Sequence, residues 1–146
     1  MIIVVDTNIV FSGLLNPNGK IGDLLLNSSD AFEFYAPNFI LKELNNHHQK
    51  LIKISKLSSD EIDFLKRMLL KKIELIDLDN IPAETWERSI NLVNDIDEFD
   101  SPFIALSLEL KAPLWTGDKK LMTGLIKKDV DWILDTDIVS KIRDKQ

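Results

Sequence analysis

The sequence contains no cysteine, only two histidines and only five glycines among 146 residues. The absence of cysteine excludes disulfide bonds, thiol catalysis and any zinc or iron–sulfur site with cysteine ligands. The histidines are adjacent, His47 and His48, and neighbouring residues of a helix point about 100° apart. They therefore do not share a metal ion, and we expect them at a solvated helix end. The glycines form no Gly-rich run ending in Lys-Ser or Lys-Thr, so no phosphate-binding loop of that kind is present.

Positive charge and long apolar runs are also scarce. The chain has 18 Lys and Arg against 24 Asp and Glu, a net charge of −6. Such a chain does not bind phosphate over its whole surface. Nucleic acid therefore stays a candidate only as a substrate that a local basic rim directs to one site. No apolar run approaches the roughly 18 residues of a membrane span. The N-terminus lacks the basic and long apolar regions of a signal peptide, and we expect a cytoplasmic protein without membrane contacts.

The composition that remains is that of a folded domain. Apolar residues make up 45% of the chain and charged residues 29%, which is ordinary for a globular protein and too apolar for disorder. No Pro-, Gly- or Ser-rich stretch is long enough to act as a linker. We therefore expect residues 1–146 to form one domain.

Short apolar runs alternate with helical patterns along the chain. The runs expected to form strands cover residues 2–5, 32–36, 73–76, 114–116 and 132–134. Between them lie helical patterns, in one of which Trp86, Ile90 and Val93 line one side. Strands that alternate with helices indicate a parallel sheet covered on both faces. The predicted fold is a three-layer α/β/α sandwich with a central parallel sheet.

Several residues predict helix boundaries. Ser58 and Glu61 have the spacing of a capping box in front of an apolar stripe. Pro37 is placed to open a helix at its first position. Thr7 and Asn8 follow the first strand, where we expect them to cap a helix.

Aspartates stand where the predicted strands end and helices begin. Asp6 directly follows the first strand, and Asp118 lies shortly after the fourth. Asp100 stands just before a strongly apolar helix, with Asp97 three residues earlier. In parallel α/β sheets, ligands bind beyond the carboxyl ends of the strands, so these acids can converge there. The alternative for each one taken alone is helix capping, which Asp performs well.

Glu43 belongs to a predicted helix whose other inward positions are mostly apolar. Ile40, Glu43, Leu44 and His47 share one helical face by their spacing. The Glu43 carboxylate is thus directed toward the protein, where it needs a cation or a hydrogen-bonding network. The alternative is an edge position from which the side chain reaches water.

Asp6, Glu43, Asp100 and Asp118, hereafter the four acids, have a clear chemical consequence if they meet. Two unit charges about 4 Å apart repel by about 4 kcal/mol at an effective dielectric constant near 20. Such a cluster either raises its own pKa values or binds a divalent cation. An all-oxygen ligand set suits Mg²⁺ or Mn²⁺, and a metal-activated water can attack a phosphodiester.

Two segments carry a family resemblance that extends over essentially the whole chain. They are VVDTNIVFSGLL near the N-terminus and DEFDSPFIALSLELKAPLWTGDKKL near the C-terminus. Both resemble the PIN domain nucleases, and the resemblance places the family's catalytic acids at Asp6, Glu43, Asp100 and Asp118. It implies that the metal ligands are Asp6, Asp100 and Asp118, with Asp97 as an accessory ligand. Supporting polar groups would be Thr7, Asn8 and Thr116.

The resemblance implies a Mg²⁺- or Mn²⁺-dependent ribonuclease, often the toxin of a toxin–antitoxin pair. RNA, an antitoxin protein and a second copy of the chain are then the expected partners. Some members of the family carry a further acid after the Thr-x-Asp motif, whereas here Lys119 and Lys120 follow Asp118. This departure indicates one tightly held ion rather than two.

The sequence indicates the path of RNA less clearly. Lys119, Lys120 and Lys127 follow Asp118 and can form a basic rim, or simply the solvated face of a helix. A different functional class also stays open. A catalytically weak or inactive PIN fold can use an acidic pocket to hold a metal or a basic partner segment through carboxylate–guanidinium pairs. The presence of all four acids favours the enzyme.

Overall fold

The computed structural model describes residues 1–146. Five strands form one sheet: β1 (Ile2–Val5), β2 (Glu33–Pro37), β3 (Ile73–Ile76), β4 (Leu114–Trp115) and β5 (Ile133–Leu134). Their order across the sheet is β3-β2-β1-β4-β5, and every neighbouring pair is parallel. The predicted strands are therefore confirmed, with bounds shifted by one residue at most at either end.

Nine helices accompany the sheet: α1 (Thr7–Leu15), α2 (Lys20–Leu26), α3 (Ile40–Asn46), α4 (His48–Ser55), α5 (Ser59–Leu70), α6 (Ala83–Val93), α7 (Ser101–Leu110), α8 (Lys119–Ile126) and α9 (Thr136–Asp144). Two short 3-10 turns lie at Leu78–Asn80 and Glu98–Asp100. None of the helices combines the length and apolarity that crossing a bilayer requires.

The two faces of the sheet carry separate apolar cores. Ile3 and Val5 of β1 face a core built with α1 to α5 and α9, whereas Val4 faces a core built with α6, α7 and α8. This follows from the alternation of side chains along a strand. Both faces are covered, which suits the uninterrupted apolar sequence of β1. The three-layer α/β/α sandwich predicted from the sequence is thus confirmed.

The strand order reverses at β1. The chain runs from β1 outward through β2 to β3, and then returns to place β4 on the other side of β1. The last residues of these two central strands, Val5 and Trp115, are paired in register. Residues that follow them, including Asp6 and Thr116, consequently meet at the switch point, where parallel sheets leave a crevice for ligands.

Helix boundaries partly match the predictions. The capping box is confirmed: Glu61 N–H donates to Ser58 Oγ and Ser58 N–H donates to Glu61 Oε1, each at 3.1 Å. Pro37 was wrongly expected to open a helix. It is the last residue of β2 and pairs with Ile76, and its missing N–H is tolerated at a strand end.

The expected cap of α1 is also wrong, and α6 buries a polar residue. Asp6, not Thr7 or Asn8, caps α1, because Asp6 has an extended backbone and its carboxylate reaches the Ile9 N–H. Ile90, which shares one side of α6 with Trp86 and Val93 in the sequence pattern, is 45% exposed, and Ser89 is buried. The hydroxyl of Ser89 donates to the carbonyl of Trp86, so its burial leaves no polar group unpaired.

The adjacent histidines lie in different surroundings. His47 ends α3 and is exposed, as expected, with its ring edge against Phe11 at 6.0 Å between centroids. His48 is half-buried rather than solvated. Its Nδ1 lies 2.7 Å from Nζ of the buried Lys66, and its Nε2 lies 2.9 Å from Ser59 Oγ. The second histidine therefore helps to satisfy a buried lysine between α4 and α5.

Candidate active site

Asp6 lies at the centre of the site, at the end of β1, and is only 5% exposed. Its Oδ1 accepts the Ile9 N–H at 2.9 Å, which caps α1. Its Oδ2 accepts the hydroxyl proton of Thr116, whose Oγ1 in turn accepts the Asp118 N–H at 3.1 Å. Thr116 thus ties the carboxylate that follows β1 to the backbone that follows β4.

Asp118 also combines capping with a position in the site. Its Oδ1 accepts the Leu121 N–H at 3.1 Å and so caps α8. The side chain is half-buried, and the second carboxylate oxygen remains available. Capping and ligand binding are therefore not exclusive alternatives at this position, because each uses a different oxygen of the carboxylate.

Glu43 points inward from α3, as its helical face predicts. It is half-buried, and its Oε1 accepts the hydroxyl proton of Thr7 at 2.6 Å. The start of α3 is fixed against α7 by the rings of Phe39 and Phe103, whose centroids lie 5.3 Å apart. A hydrogen bond from α1 and an aromatic contact to α7 thus hold this helix-borne acid at the sheet edge. Asn8, by contrast, is exposed on α1 and forms no hydrogen bond with the four acids.

Asp100 differs from the other aspartates because it caps nothing. It stands at the start of α7, yet its side chain forms no capping hydrogen bond. Its Oδ2 is buried and has no hydrogen-bond partner. Buried carboxylate oxygens without a partner are rare in folded proteins, and each calls for an explanation such as an ion or a functional role.

The pKa values show that the four acids affect one another. Burial raises the pKa of Asp100 to about 7, and the charges of Asp97, Asp118, Asp6 and Glu43 add to this effect. Burial also raises the pKa of Asp6 to about 6, against hydrogen bonds from Thr116 and Ile9 that lower it. The charges of Asp118 and Glu43 raise it further. The structure thus brings the four acids to one edge of the sheet.

Asp97 is a neighbour of the cluster rather than part of its interior. It is exposed, and its Oδ1 accepts the Phe99 N–H at 3.0 Å, which caps the Glu98–Asp100 turn. Of the charged groups near Asp100, it has the largest effect on the pKa of that carboxyl.

The site has negative charge without positive compensation. None of the ion pairs of the protein includes any of the four acids. The unpartnered Oδ2 of Asp100 and the raised pKa of Asp6 therefore fit a cation, and the oxygen donors fit Mg²⁺ or Mn²⁺. However, no group of three His, Asp or Glu side chains is arranged closely enough to hold a metal ion. The four acids would have to draw together on binding one.

The lysine row, which comprises Lys119, Lys120 and Lys127, lines a cavity of about 520 Å³ beside α8. None of the three forms an ion pair. Lys128, the next residue, has a structural role instead. Its Nζ pairs with Asp95 Oδ1 at 2.5 Å and donates to the Leu92 carbonyl at 2.8 Å.

Sequence reasoning missed one exposed residue at this site, Phe99. It is 78% exposed in the Glu98–Asp100 turn. The available signal was an aromatic residue enclosed on both sides by acids, since Asp97 and Glu98 precede it and Asp100 follows. Such a position fits neither a buried strand nor an apolar helix face.

Comparison with known families gives one match. A family model described as PIN domain matches residues 4–138. The matched region runs from β1 into α9 and includes all four acids. No curated protein matches the chain.

Proposed function

The chain belongs to the PIN domain family, whose members are generally nucleases, and we propose that it is a divalent-metal-dependent ribonuclease that hydrolyses RNA phosphodiester bonds. One observation carries the proposal: the four acids lie near one another at the carboxyl edge of the sheet without a compensating cation. Four uncompensated carboxylates destabilise the folded protein unless they serve a ligand.

The residues divide into ligands and positioning groups. Asp6, Asp100 and Asp118 would hold Mg²⁺ or Mn²⁺, with Asp97 as an accessory ligand, and the bound ion supplies an activated water and charge neutralisation at the phosphate. The hydroxyl of Thr116 orients Asp6 through Oδ2. The next residues along the chain after Asp118 are lysines rather than a further acid, which supports one ion rather than two.

Glu43 has a separate role, which its hydrogen bond to the Thr7 hydroxyl supports. The Thr7 hydroxyl donates to its Oε1 at 2.6 Å, so Oε2 remains free to accept a proton from the attacking water. This assigns Glu43 the role of general base, with Thr7 as its positioning residue. The lysine row beside Asp118 would bind the phosphates of the RNA that flank the cleaved bond.

The alternative is a PIN fold that binds without turnover. It is favoured by the spacing of the four acids, which does not yet form a metal site. An Arg-bearing partner segment could compensate the same charges through carboxylate–guanidinium pairs. Members of the family often pair with antitoxins, and we propose that an antitoxin segment would cover the four acids in this way.

A nuclease assay separates the two functions. Mixed single-stranded RNA should be cleaved in the presence of Mn²⁺ or Mg²⁺, remain intact after EDTA is added, and be cleaved again when the metal is restored. The products are measured on denaturing gels with protein purified to constant specific activity. Intact RNA at every metal concentration, from a folded protein, would contradict the ribonuclease and favour the binding module.

The triple variant Lys119→Ala, Lys120→Ala, Lys127→Ala tests the RNA path. It should weaken RNA binding and reduce the slope of log affinity against log salt by about 2, at about 0.7 per lost contact with a single strand. The melting temperature should hold, because surface changes usually alter stability by less than about 0.5 kcal/mol.

The matched control removes three exposed lysines elsewhere, Lys53, Lys71 and Lys145. It changes the net charge equally, so an effect of overall charge would appear in both triple variants. An equal salt slope in the two variants would place the RNA path away from α8.

A further inference from the structure

Phe99 is the most exposed of the large apolar side chains, at 78%. It lies in the Glu98–Asp100 turn, directly before one of the four acids. A phenyl ring in water is unfavourable, and the ring has no partner within the chain. Its position directly before Asp100 makes the ring a candidate contact for a ligand bound at the four acids.

The exposure of Phe99 does not come from a loosely held loop. The Phe99 N–H donates to Asp97 Oδ1 at 3.0 Å, and the Asp100 N–H donates to the Asp97 carbonyl at 3.1 Å. The preceding segment is anchored to α8, because Lys128 pairs with Asp95. The backbone of α8 also approaches the side chain of Ile96 closely: a Cβ on Gly124 would lie 2.5 Å from Ile96 Cδ1. The turn therefore presents the ring from a fixed position.

The charges near Phe99 differ in sign between the turn and α8. Asp97, Glu98 and Asp100 surround Phe99 in the sequence, and these carboxylates repel a phosphate backbone. The lysine row lies on α8, beside a cavity that Asp95 and Ile96 also line, and attracts that backbone. A nucleic acid strand would thus lay its phosphates along α8 and turn its bases toward the acidic turn.

We propose that Phe99 stacks on an unpaired base of the RNA next to the phosphodiester bond held at the four acids. This inference rests on the proposed ribonuclease function and adds a residue that positions the RNA substrate. Aromatic side chains stack on the faces of unpaired bases, whereas a duplex already buries those faces against neighbouring base pairs. Every base offers such a face, so stacking on Phe99 favours single strands over duplexes and does not depend on the base sequence. Protein interfaces instead use contiguous apolar patches, which a ring enclosed by carboxylates does not provide.

Steady-state kinetics on a single-stranded oligonucleotide test the proposal. Phe99→Ala and Phe99→Leu should raise KM about 5-fold to 150-fold, the range expected for one lost base–aromatic stack, with kcat nearly unchanged. Phe99→Trp, which keeps an aromatic ring, should have a KM equal to the wild-type value or below it. Because leucine keeps the apolar bulk, its failure to rescue separates stacking from simple packing.

The matched control is Phe64→Leu, on α5 in the helical layer of the opposite sheet face, where the ring is 54% exposed. It should leave KM unchanged. A wild-type KM in Phe99→Leu would overturn the proposal. It would also be overturned if Phe99→Ala left KM unchanged but abolished self-association or partner binding in sedimentation experiments, since the ring would then serve a protein contact.

A binding experiment keeps this test independent of catalysis. The indole introduced by Phe99→Trp should lose fluorescence when a 2′-deoxy oligonucleotide binds in EDTA, where no metal-activated water can cleave it, above the background that the wild type shows with its own tryptophans. An oligonucleotide with abasic sites in place of bases should give much less quenching. If quenching is base-dependent but no RNA is cleaved, the stacking site stands and the nuclease function fails. Equal quenching by the abasic oligonucleotide would overturn the stacking site alone.

Discussion

Asp118→Asn should abolish RNA cleavage while the protein stays folded. Asp118 caps α8 through Oδ1, and an asparagine oxygen accepts the same Leu121 N–H. The substitution therefore keeps the cap and the shape of the side chain and removes only its negative charge. A metal ligand loses its function with that charge, whereas a helix cap changes stability by about 1 kcal/mol or less.

The chain provides a matched control for this variant. Asp135 follows β5 as Asp118 follows β4, and its Oδ1 caps α9 by accepting the Ile138 N–H at 2.8 Å. Asp135→Asn should therefore retain cleavage. Thermal melts and far-UV circular dichroism establish that both variants fold. Full activity in Asp118→Asn would remove this residue from the mechanism and return it to capping alone.

Asp6→Asn is a less clean test, for a reason visible in the hydrogen bonds. The Thr116 hydroxyl accepts from the Asp118 N–H and donates to Asp6 Oδ2. An amide NH₂ in place of that oxygen would place two hydrogen-bond donors against each other. A loss of activity in this variant would mix lost charge with a broken hydrogen bond, which the Asp118 variant avoids.

The second large effect concerns the stability of the metal-free protein. Asp100→Asn should raise the melting temperature in EDTA at pH 8 by roughly 4–8 °C, corresponding to about 2 kcal/mol. Asp100 is only partly buried, so solvent screens part of the repulsion and this value stays below that of a fully buried group. The variant relieves the remaining acids because it removes one of the charges that repel them.

The pH dependence has a definite sign. The pKa of Asp100 is about 7 in the folded protein and near the ordinary 3.8 when unfolded. Between these values the folded state binds a proton that the unfolded state does not, so wild-type stability falls as pH rises from about 4 to 7. At pH 5 the gain from Asp100→Asn should therefore be less than half of the gain at pH 8, and it should vanish only at about pH 4 and below, where both states bind the proton. The pKa of Asp6 is also raised, to about 6, so Asp6 likewise makes the stability of the protein fall as pH rises. This contribution remains in the Asp100→Asn variant.

A bound metal ion should relieve the same repulsion among the four acids and so raise the melting temperature. Mn²⁺ at a hundredfold excess over its dissociation constant contributes about 2.7 kcal/mol, or about 5–10 °C for a domain of this size. The increase should be smaller in Asp100→Asn, which lacks a ligand. Melts of both proteins at pH 5 and pH 8, with EDTA and with Mn²⁺, measure all of these differences. If millimolar Mn²⁺ at pH 8 leaves the wild-type melting temperature unchanged, a metal site at the four acids is contradicted.

The sequence alone determined the layers of the fold, because the signals involved are local. Short apolar runs alternate with helical patterns, and this periodicity is set by which side chains must leave water. The capping box at Ser58 and Glu61 was equally predictable, since both of its hydrogen bonds lie within one turn of helix. The order of the acids along the chain, together with the strand-end positions of Asp6 and Asp118, indicated their edge of the sheet.

The tertiary structure decided which local option each residue takes. Ile90 and Ser89 both lie near the boundary of the apolar face of α6, and only packing against neighbouring helices decides which of them is buried. Asp6, Asp100 and Asp118 have similar sequence contexts, each directly before a helix. Only the assembled fold shows that two of them cap a helix and that Asp100 keeps a buried oxygen unpaired.

The site itself depends on contacts between distant parts of the chain. Thr116 meets Asp6 because β4 returns to pair with β1, and Thr7 meets Glu43 because α3 packs near α1. The position of the segment before Phe99 likewise depends on contacts with α8. Local patterns determine elements because their hydrogen bonds and apolar faces are short-range. Charge repulsion, burial and stacking surfaces arise only between elements, and therefore only the folded chain sets them.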